Sequence, residues 1–530
     1  MIDGFYLPRA LASDVETSVH RFGPAHDAVT IRLPVFLAAD LTRWIERLRA
    51  AREEHLAHRP IAEILRPLER VIARHLDPKD RKRRALVQAL LESGRYAEPM
   101  VQRALDDAFE PLAHGGLRRW IASELGSVSA LDRPVPTREG VLRRAVGPEW
   151  MFQVYAGNVP AVPVWPMLTA LVLKSALLAK TSAQEPVLAS HLARAIADED
   201  EALGRCMAVI WWKGGTSELE RAALAQAPAV LAFGGETAIT SLARQTRPDA
   251  KTVFHGPKVS LAYVGRGALS RANLPNAARR LALDVSLYDQ QGCLSPHAVY
   301  AERGGAATPL DFAAAIGHAL QESAGAMPRR EPTATESAAL QLYRAQARFD
   351  ASASPETNVL ASESGTRWTV VCEGGARFEP GPAHRTVRVH SITGPEEFER
   401  AVQGSARFIE ALALEETNPR RAGLVSRFAA LGIPRIAGLG SLQRPSPLGT
   451  HGGLRRLEPF VTWVTVEEAR APRAAKTRPR SNKARPRAAK SPVRRPTRAK
   501  PVKKKAARTS ASKPSARGSR TPARARRRSR

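Results

Sequence analysis

The residue type best suited to nucleophilic chemistry is the cysteine of L-Y-D-Q-Q-G-C-L-S-P-H, which is Cys293. Gly292 before it allows close approach of the backbone, and a helix beginning after the cysteine would point its N–H groups at the sulfur and lower the pKa of the thiol. A thiolate in such a turn attacks a carbonyl carbon and forms a covalent intermediate. A lone cysteine is more often a buried packing residue, and the apolar runs around Cys206 and Cys372 favour that interpretation for those two. Taken alone, the segment leaves both interpretations of Cys293 open.

Three further segments place polar or glycine residues at turns. The segment A-G-N-V-P puts the amide of Asn158 in a Gly/Pro turn, and L-L-A-K-T-S-A-Q-E-P puts Lys180 at the end of an apolar stretch. The segment V-L-A-F-G-G-E-T-A-I-T is typical of a strand, then Gly234 and Gly235, then the start of a helix. A glycine-rich turn between a strand and a helix suits a phosphate group. A lone Gly-Gly pair is weak evidence, so the order of the segments matters more than any one of them.

The order of Asn158, Lys180, Gly235 and Cys293 resembles that of the aldehyde dehydrogenase superfamily. There, a W-N-F-P-type turn carries an oxyanion-hole Asn, K-P-S-E binds the cofactor ribose, F-T-G-S-T covers the pyrophosphate and G-Q-x-C carries the nucleophile. The matching segments here are G-N-V-P, K-T-S-A, F-G-G-E-T and Q-Q-G-C, and P-L-G-T-H-G-G resembles the segment that closes that fold. Y-D-Q-Q-G-C-L-S-P-H with A-G-N-V-P resembles more specifically the acyl-CoA reductases of the bacterial luminescence (LuxC-type) family, over roughly residues 40–470.

This resemblance implies NADPH-dependent reduction of fatty acyl thioesters, carried by CoA or acyl carrier protein, to aldehydes. Cys293 would attack the acyl carbonyl and release the donor thiol, while Asn158 and the backbone N–H of Cys293 would stabilise the oxyanion. Hydride from the nicotinamide would then displace the enzyme sulfur. The resemblance assigns four residues to the cofactor: Lys180, Gly234, Gly235 and Thr237.

Two positions depart from the superfamily pattern. Phe254, in F-H-G-P-K, stands where hydrolytic aldehyde dehydrogenases carry the Glu that activates water, so the thioester should persist. Its neighbour His255 is a possible acid or base, although a packing role is more typical. Ala183 replaces the ribose-binding Glu of K-P-S-E. Because that Glu would repel a 2′-phosphate, its absence, with Lys180 retained, favours NADPH. Three weaker candidates for the site are His297, Glu379 and His451.

The positive charge of the chain is concentrated at its C terminus. The formal net charge is +30, and residues 471–530 hold 24 Lys or Arg and no Asp or Glu, so residues 1–470 carry only +6. This tail has no aromatic residue and almost no aliphatic residue, which predicts disorder. It resembles the tails of histone H1-like proteins and would contact polyanions through charge alone. The alternative hypothesis is therefore a nucleic-acid-associated protein whose folded body is a scaffold.

Two sequence patterns predict the elements that position these residues. Between about 37 and 125, apolar residues recur at helical spacing, as in Leu41, Trp44, Ile45 and Leu48. From about 150, short apolar runs alternate with helices, one of which T-P-L-D predicts to begin after Thr308. The candidate strands are Met207–Trp212, Ala229–Phe233, Val259–Val264, Trp368–Cys372 and Thr386–His390. This alternation favours an α/β fold with largely parallel sheets.

We therefore predict an aldehyde-dehydrogenase-like α/β architecture with a helical N-terminal layer and a disordered basic C-terminal tail. Its predicted parts are a helical region at 1–125, a Rossmann-like cofactor-binding domain at 126–285, a catalytic domain bearing Cys293 at 286–430, a closing Gly-rich segment and strand at 431–470, and the tail at 471–530.

The composition also bears on cellular location. Three cysteines are too few and too scattered for a disulfide framework, and no Cys/His pattern indicates a metal site. The N terminus lacks the pattern of a signal peptide. The uncharged stretch Val159–Leu173 is shorter than the roughly 20 apolar residues that a membrane span needs. We expect a cytoplasmic homo-oligomer without a membrane span.

Overall fold

The computed structural model describes residues 1–13, 15–22, 29–93 and 96–467, and the predicted tail at 471–530 lies outside them. Its α-helices are Arg9–Ala12, Ala38–His55, Ile61–Leu76, Arg81–Glu92, Glu98–Phe109, Gly116–Leu125, Val164–Val172, Leu188–Glu199, Glu201–Arg205, Ser217–Leu224, Glu236–Gln245, Leu274–Ser286, Pro309–Ala326, Ala334–Ala353, Pro395–Val402 and Asn418–Ala430. Its 3-10 helices are Glu110–Leu112, Val128–Leu131, Leu287–Gln290, Ala406–Phe408 and Glu458–Phe460.

The helices predicted between 37 and 125 are confirmed. The helix Ala38–His55 buries the four residues that define the spacing: Leu41, Trp44, Ile45 and Leu48. Each such side chain contributes about 1.5–3 kcal/mol by leaving water. The residues before this helix form a small sheet of Ile2–Asp3, Val29–Pro34 and Thr17–Phe22.

A five-stranded sheet, parallel throughout, follows the helical region. Its strands are, in spatial order, Lys251–His255, Ala229–Phe233, Trp150–Val154, Ala176–Lys180 and Met207–Ile210. Almost every residue of its three central strands is buried, as expected of a parallel sheet covered on both faces. After Trp150–Val154, the chain adds Ala176–Lys180 and Met207–Ile210 on one side of this strand. It then crosses to the other side and forms Ala229–Phe233. Such a reversal opens a crevice at the carboxyl ends of these two strands, where ligands bind in open α/β sheets.

A seven-stranded sheet forms the second large layer, and only its first pair is antiparallel. Its strands are, in spatial order, Asn358–Ala361, Thr369–Glu373, Thr386–Ile392, Pro296–Glu302, Val259–Val264, Ile409–Glu415 and Ile436–Ala437. The predicted strands are confirmed with ends that shift by one or two residues. The helix Pro309–Ala326 begins as predicted: Thr308 accepts from the Asp311 N–H at 3.1 Å, and the Asp311 carboxylate accepts from the Thr308 N–H at 2.8 Å. The predicted α/β fold with largely parallel sheets is therefore confirmed.

A three-stranded antiparallel sheet completes the described residues, with the strands Thr462–Val466, Leu142–Val146 and Val135–Pro136. Within the described ranges, no helix combines the length and the apolar character that crossing a membrane requires. In the same part of the chain, no three His, Cys, Asp or Glu side chains are grouped so that they could hold a metal ion. Cys206, Cys293 and Cys372 are free thiols.

Candidate active site

A cavity of about 660 Å³ lies between the carboxyl ends of the five-stranded sheet and the amino ends of the seven-stranded sheet. Four of the residues predicted from the sequence line it together: Asn158, Gly234, Gly235 and Cys293. The other two, Lys180 and Thr237, lie outside this cavity. The two sheets thus bring the predicted nucleophile, amide and glycine turn to one place.

Cys293 stands in a turn that precedes the strand Pro296–Glu302. The turn begins with three successive residues in the left-handed region, Tyr288 at φ 56°, Asp289 at φ 50° and Gln290 at φ 65°. Residues with a side chain adopt this conformation at a cost of about 1–2 kcal/mol each. The surrounding contacts must therefore hold the turn in place.

A second left-handed segment, Ala383, His384 and Arg385, packs against this turn, with φ angles of 60°, 54° and 63°. The His384 N–H donates to the Asp289 carbonyl at 3.0 Å, and the Arg385 guanidinium donates to the Asp289 carboxylate at 3.0 Å. Burial raises the pKa of Asp289, and the charge of Arg385 opposes that effect. This buried ion pair joins the two strained segments.

Gln290 completes the junction from a fully buried position. Its Nε2 donates to the carbonyls of Pro296 and Thr386 at 2.8 Å each, and its Oε1 accepts from the Thr386 N–H at 2.8 Å. The side chain thereby ties the turn to the strand after Cys293 and to its neighbour in the sheet. Sequence reasoning missed this role because Thr386 lies 96 residues away in the chain.

Asn158 reaches the same turn from the five-stranded sheet. Its Nδ2 donates to the Gln291 carbonyl at 2.7 Å, and its own backbone carbonyl accepts from the Tyr96 hydroxyl. Gly157 is required here, because a Cβ at this position would lie 2.7 Å from the Gln184 Cβ. A side-chain amide nitrogen carries two N–H groups, so Asn158 can hold the cysteine turn and donate to a second acceptor.

The expected helix after Cys293 is wrong. The residues that follow form a turn and the strand Pro296–Glu302, which pairs in parallel with Val259–Val264 on one side and Thr386–Ile392 on the other. Backbone pairing on both sides holds this segment in the sheet, so sheet pairing overrides any local helical tendency. Ser260 fixes the turn further by donating from its hydroxyl to the Cys293 carbonyl at 2.8 Å.

The expected lowering of the thiol pKa is also wrong. Burial raises the pKa of Cys293 to about 12, and the negative charge of Glu410 raises it further. The backbone N–H groups of Cys293 and Leu294 and the charge of Lys258 act in the opposite direction with smaller effect. Since the thiolate is the nucleophilic form, a proton acceptor close to the sulfur would assist its attack.

The turn at Gly234 and Gly235 leads from the strand Ala229–Phe233 into the helix Glu236–Gln245. Gly235 is the residue before the helix, and a Cβ there would meet no atom within 4 Å. Residues 235–238 are exposed, so the start of this helix is accessible to a phosphate. Thr237 is exposed on that turn and lines a shallow cleft along the helix.

Lys180 ends the strand Ala176–Lys180 and is buried, with its Nζ 5.3 Å from the centroid of the Trp212 ring. Burial lowers the pKa of Lys180, and the charge of Glu220 opposes that effect. Between Lys180 and the next helix, the Glu185 carboxylate accepts from the N–H groups of Val187 and Leu188 at 2.9 and 2.8 Å. The Glu185 carboxylate therefore caps the start of the helix Leu188–Glu199.

A pair of stacked imidazoles forms another wall of the cavity. The rings of His255 and His451 have centroids 4.0 Å apart, and Phe233 stacks on His255 at 4.7 Å. Burial lowers the pKa of His255 to about 4 and the pKa of His451 well below its usual value. Both imidazoles are therefore neutral near pH 7. The sequence offered them only as weaker candidates.

Known proteins match most of this chain in sequence. The family model described as Acyl-CoA reductase (LuxC) matches residues 56–463. This chain belongs to the acyl-CoA reductase (LuxC) family. It is thus an oxidoreductase that acts on acyl thioesters and yields aldehydes, as the resemblance in the sequence implied. Neither the comparisons nor the described residues support the alternative hypothesis of a nucleic-acid-associated scaffold.

Two curated relatives of this acyl-CoA reductase bear the same description. The "Long-chain acyl-protein thioester reductase" of Photorhabdus luminescens is 28% identical over 394 residues, which cover 73% of this chain and 78% of the relative. The protein of the same description from Vibrio harveyi is 24% identical over 463 residues, covering 86% and 91%.

Solved structures similar to this acyl-CoA reductase show the aldehyde-dehydrogenase-like fold. An oxidoreductase from Marinobacter aquaeolei superposes with a TM-score of 0.66 at 17% identity, covering 88% of this chain and 97% of that one. An NADP-dependent glyceraldehyde-3-phosphate dehydrogenase from Bacillus halodurans, complexed with NADP, superposes with a TM-score of 0.65 at 12% identity, covering 85% and 95%. The predicted fold class is therefore confirmed.

Apolar side chains line the cavity: Ala104, Ala108, Pro111, Trp165 and Phe460. Cationic side chains line it as well: Lys258, Arg435, Arg455 and Arg456. Arg456 stacks over the Trp165 ring at 4.8 Å from its centroid. The cavity thus combines an apolar region with positive charge.

The remaining candidates of the reductase lie outside this cavity. His297 is buried in the strand after Cys293, whereas Glu379 is exposed and lies 3.5 Å from the guanidinium groups of Arg377 and Arg388. Cys206 and Cys372 are buried, and burial raises their pKa values to about 12 and about 11. These positions fit packing roles.

Proposed function

We propose that this chain reduces long-chain fatty acyl thioesters to aldehydes with NADPH, through a covalent thioester on Cys293. The observation that carries the proposal is the hydrogen bond from the Asn158 amide to the Gln291 carbonyl, inside a cavity that Gly234 and Gly235 also line. Nucleophile, oxyanion donor and phosphate-binding turn thereby share one enclosure.

In the acylation step, Cys293 Sγ bonds to the acyl carbon and the donor thiol leaves. The second N–H of the Asn158 amide and the backbone N–H of Cys293 stabilise the negative charge that develops on the carbonyl oxygen. A donor of this kind lowers the barrier by about 3–4 kcal/mol in comparable sites. The strained turn keeps the sulfur and these donors in one geometry, which reduces the entropy lost on reaching the transition state.

Phe254 supports the survival of the acyl-enzyme. It lies half-buried on the strand Lys251–His255, where it packs against a hydrophobic core. A phenyl ring cannot deprotonate water, so no base acts from the position that the resemblance assigns to the hydrolytic Glu. The acyl thioester on Cys293 therefore persists until it is reduced, because it is not hydrolysed.

The Gly234–Gly235 turn suits a dinucleotide, because it lines the cavity and leads into the exposed start of the helix Glu236–Gln245. When bound, NADPH supplies the hydride that reduces the acyl group. Gly234, Gly235 and Thr237 would hold its phosphates, and Lys180 its adenosine ribose. The preference for NADPH over NADH rests on Ala183, which leaves no carboxylate to repel a 2′-phosphate.

The acyl donor is a thioester of CoA or of a protein such as acyl carrier protein. The apolar wall at Ala104, Ala108 and Trp165 suits an alkyl chain, and the cationic side chains suit the phosphates of CoA or an acidic carrier. The description of the relatives as acyl-protein reductases supports a protein donor. A cytoplasmic homo-oligomer and a polyanion contact through the tail stay predictions.

Intact-protein mass spectrometry tests this proposal. Wild-type protein incubated with acyl-CoAs of 4 to 18 carbons, without NADPH, should gain one acyl group, and NADPH should then remove it with release of aldehyde. Cys293→Ser should gain none, whereas Cys372→Ser is the matched control and should be acylated normally. An acyl adduct on the Cys293→Ser protein, with aldehyde formed at the wild-type rate, would exclude Cys293 as the acylated nucleophile.

A further inference from the structure

Glu410 is a buried carboxylate on the strand Ile409–Glu415 that lines the same cavity as Cys293. Its Oε1 accepts from the Gly452 N–H at 2.7 Å, and its Oε2 lies 3.6 Å from Lys258 Nζ. A Cβ on Gly452 would lie 3.7 Å from Glu410 Oε2 and 3.5 Å from His255 Nδ1. The carboxylate is thus fixed in direction and borders the stacked histidines.

The acylation step requires a proton acceptor. Because burial raises the pKa of Cys293 above that of a free thiol, little thiolate is present at pH 7. A base that accepts the proton as the sulfur attacks avoids the need to form that thiolate beforehand, and typically accelerates such a step about 10²- to 10⁴-fold.

The side chains around the cavity differ in how well they can act as this base. His255 and His451 are weak bases, since burial lowers their pKa values. Asp107 forms ion pairs with Arg103 at 2.6 Å and with Arg444 at 2.9 Å, and its charge acts on Tyr288. Burial raises the pKa of Glu410, so Glu410 binds a proton more readily than an ordinary carboxylate. Its charge also acts directly on Cys293.

We infer that Glu410 is the general base that takes the Cys293 proton during acylation and returns it to the departing thiol. The inference rests on the proposed function. The Sγ–H proton moves to a Glu410 oxygen as Sγ bonds to the acyl carbon; the bond between that carbon and the donor sulfur then breaks, and the proton passes to the donor sulfur. Nothing is oxidised or reduced in this step. Glu410 lies on the seven-stranded sheet, whereas Phe254 lies on the five-stranded sheet.

Several groups surround Glu410 and set the pH at which it acts. The charged or titratable neighbours are Lys258, Arg435, Arg456, His255, His451 and Cys293. Because Glu410 must be ionised to accept a proton, the acylation rate should fall as the pH falls through its pKa. This acidic limb should be missing when the carboxylate is removed.

The test compares Glu410→Gln with wild type in two reactions of Cys293. The first is acyl-enzyme formation from acyl-CoA without NADPH, followed by quenched mass spectrometry from pH 5 to 9. The second is alkylation by iodoacetamide, which reports thiolate already present. We expect Glu410→Gln to slow acylation about 100-fold and to remove the acidic limb. Alkylation should become faster, because the charge that raises the pKa of Cys293 is gone.

Two further variants keep the test decisive. Glu410→Asp retains a carboxylate and should be acylated faster than Glu410→Gln. This variant serves as the test if Glu410→Gln does not fold. Glu415→Gln removes a carboxylate from the far end of the same strand, where it lies 2.6 Å from Arg280, and should leave acylation unchanged.

The outcomes separate the inference from the proposed function. If Glu410→Gln is acylated as fast as wild type or faster, or if alkylation slows in parallel with acylation, Glu410 is not the base. If wild type itself gains no acyl group on Cys293, the proposed function fails and this inference fails with it.

Discussion

Replacing Gln290 tests whether the turn that carries Cys293 is held under strain. Gln290→Ala removes three hydrogen bonds of 2.8 Å from a fully buried position and leaves an N–H and two carbonyls without that partner. At about 1–2 kcal/mol for each such loss, the free energy of unfolding should fall by about 3–6 kcal/mol. The sulfur should also be less well positioned, so acylation should slow about 100-fold.

Gln290→Gly loses the same hydrogen bonds but relieves the backbone. At φ 65°, glycine avoids a penalty of about 1–2 kcal/mol that alanine pays, and it loses about 0.4–1 kcal/mol through the greater freedom of the unfolded chain. The Gly variant should therefore be about 0.5–1 kcal/mol more stable than the Ala variant, which reverses the usual order.

Urea unfolding followed by tryptophan fluorescence measures both variants against wild type. The matched control is Gln346, an exposed residue in the helix Ala334–Ala353, where the Ala variant should be more stable than the Gly variant by about 1 kcal/mol. If Gln290→Ala is as stable as Gln290→Gly, or more so, the left-handed turn is not strained and this reasoning is refuted.

Three more predictions concern the chemistry. Asn158→Ala should lower turnover about 100- to 1,000-fold, because one oxyanion donor is lost, while the dissociation constant for NADPH measured by fluorescence titration stays the same. Steady-state kinetics should show a preference for NADPH over NADH, and Ala183→Glu should weaken it by placing a carboxylate where the 2′-phosphate would lie; equal use of both cofactors by wild type would contradict the role given to Ala183. The rate of Cys293 alkylation should rise about tenfold per pH unit between pH 7 and 9, since the thiolate fraction grows with pH below a pKa of about 12; a plateau in that range would mean that the pKa is lower.

Elements governed by neighbouring residues could be predicted from the sequence. Thr308 and Asp311 form a capping box within four residues, and the apolar spacing of Leu41 to Leu48 defines one face of a single helix. The turns at Asn158 and Cys293 can be recognised in the sequence because glycine and proline mark them locally and because their order along the chain resembles that of a known family. The fold class could be predicted from the alternation of short apolar runs and helices after about residue 150.

The helix expected after Cys293 failed for a reason that no local pattern contains. The strand Pro296–Glu302 pairs with two strands from distant parts of the chain, and their backbone hydrogen bonds decide its conformation. The pKa of the Cys293 thiol is raised, contrary to expectation, because burial of the sulfur outweighs the effect of the nearby backbone N–H groups.

The sequence by itself determined which residue types stand at the turns, because turn chemistry depends on a few adjacent residues. Only the tertiary structure decided what surrounds them. Gln290 meets Thr386 and Glu410 meets Lys258 because, within the seven-stranded sheet, Pro296–Glu302 pairs with Thr386–Ile392 and Val259–Val264 pairs with Ile409–Glu415. Contacts between side chains that far apart in the chain depend on strand order and register, which the pairing of the whole sheet fixes.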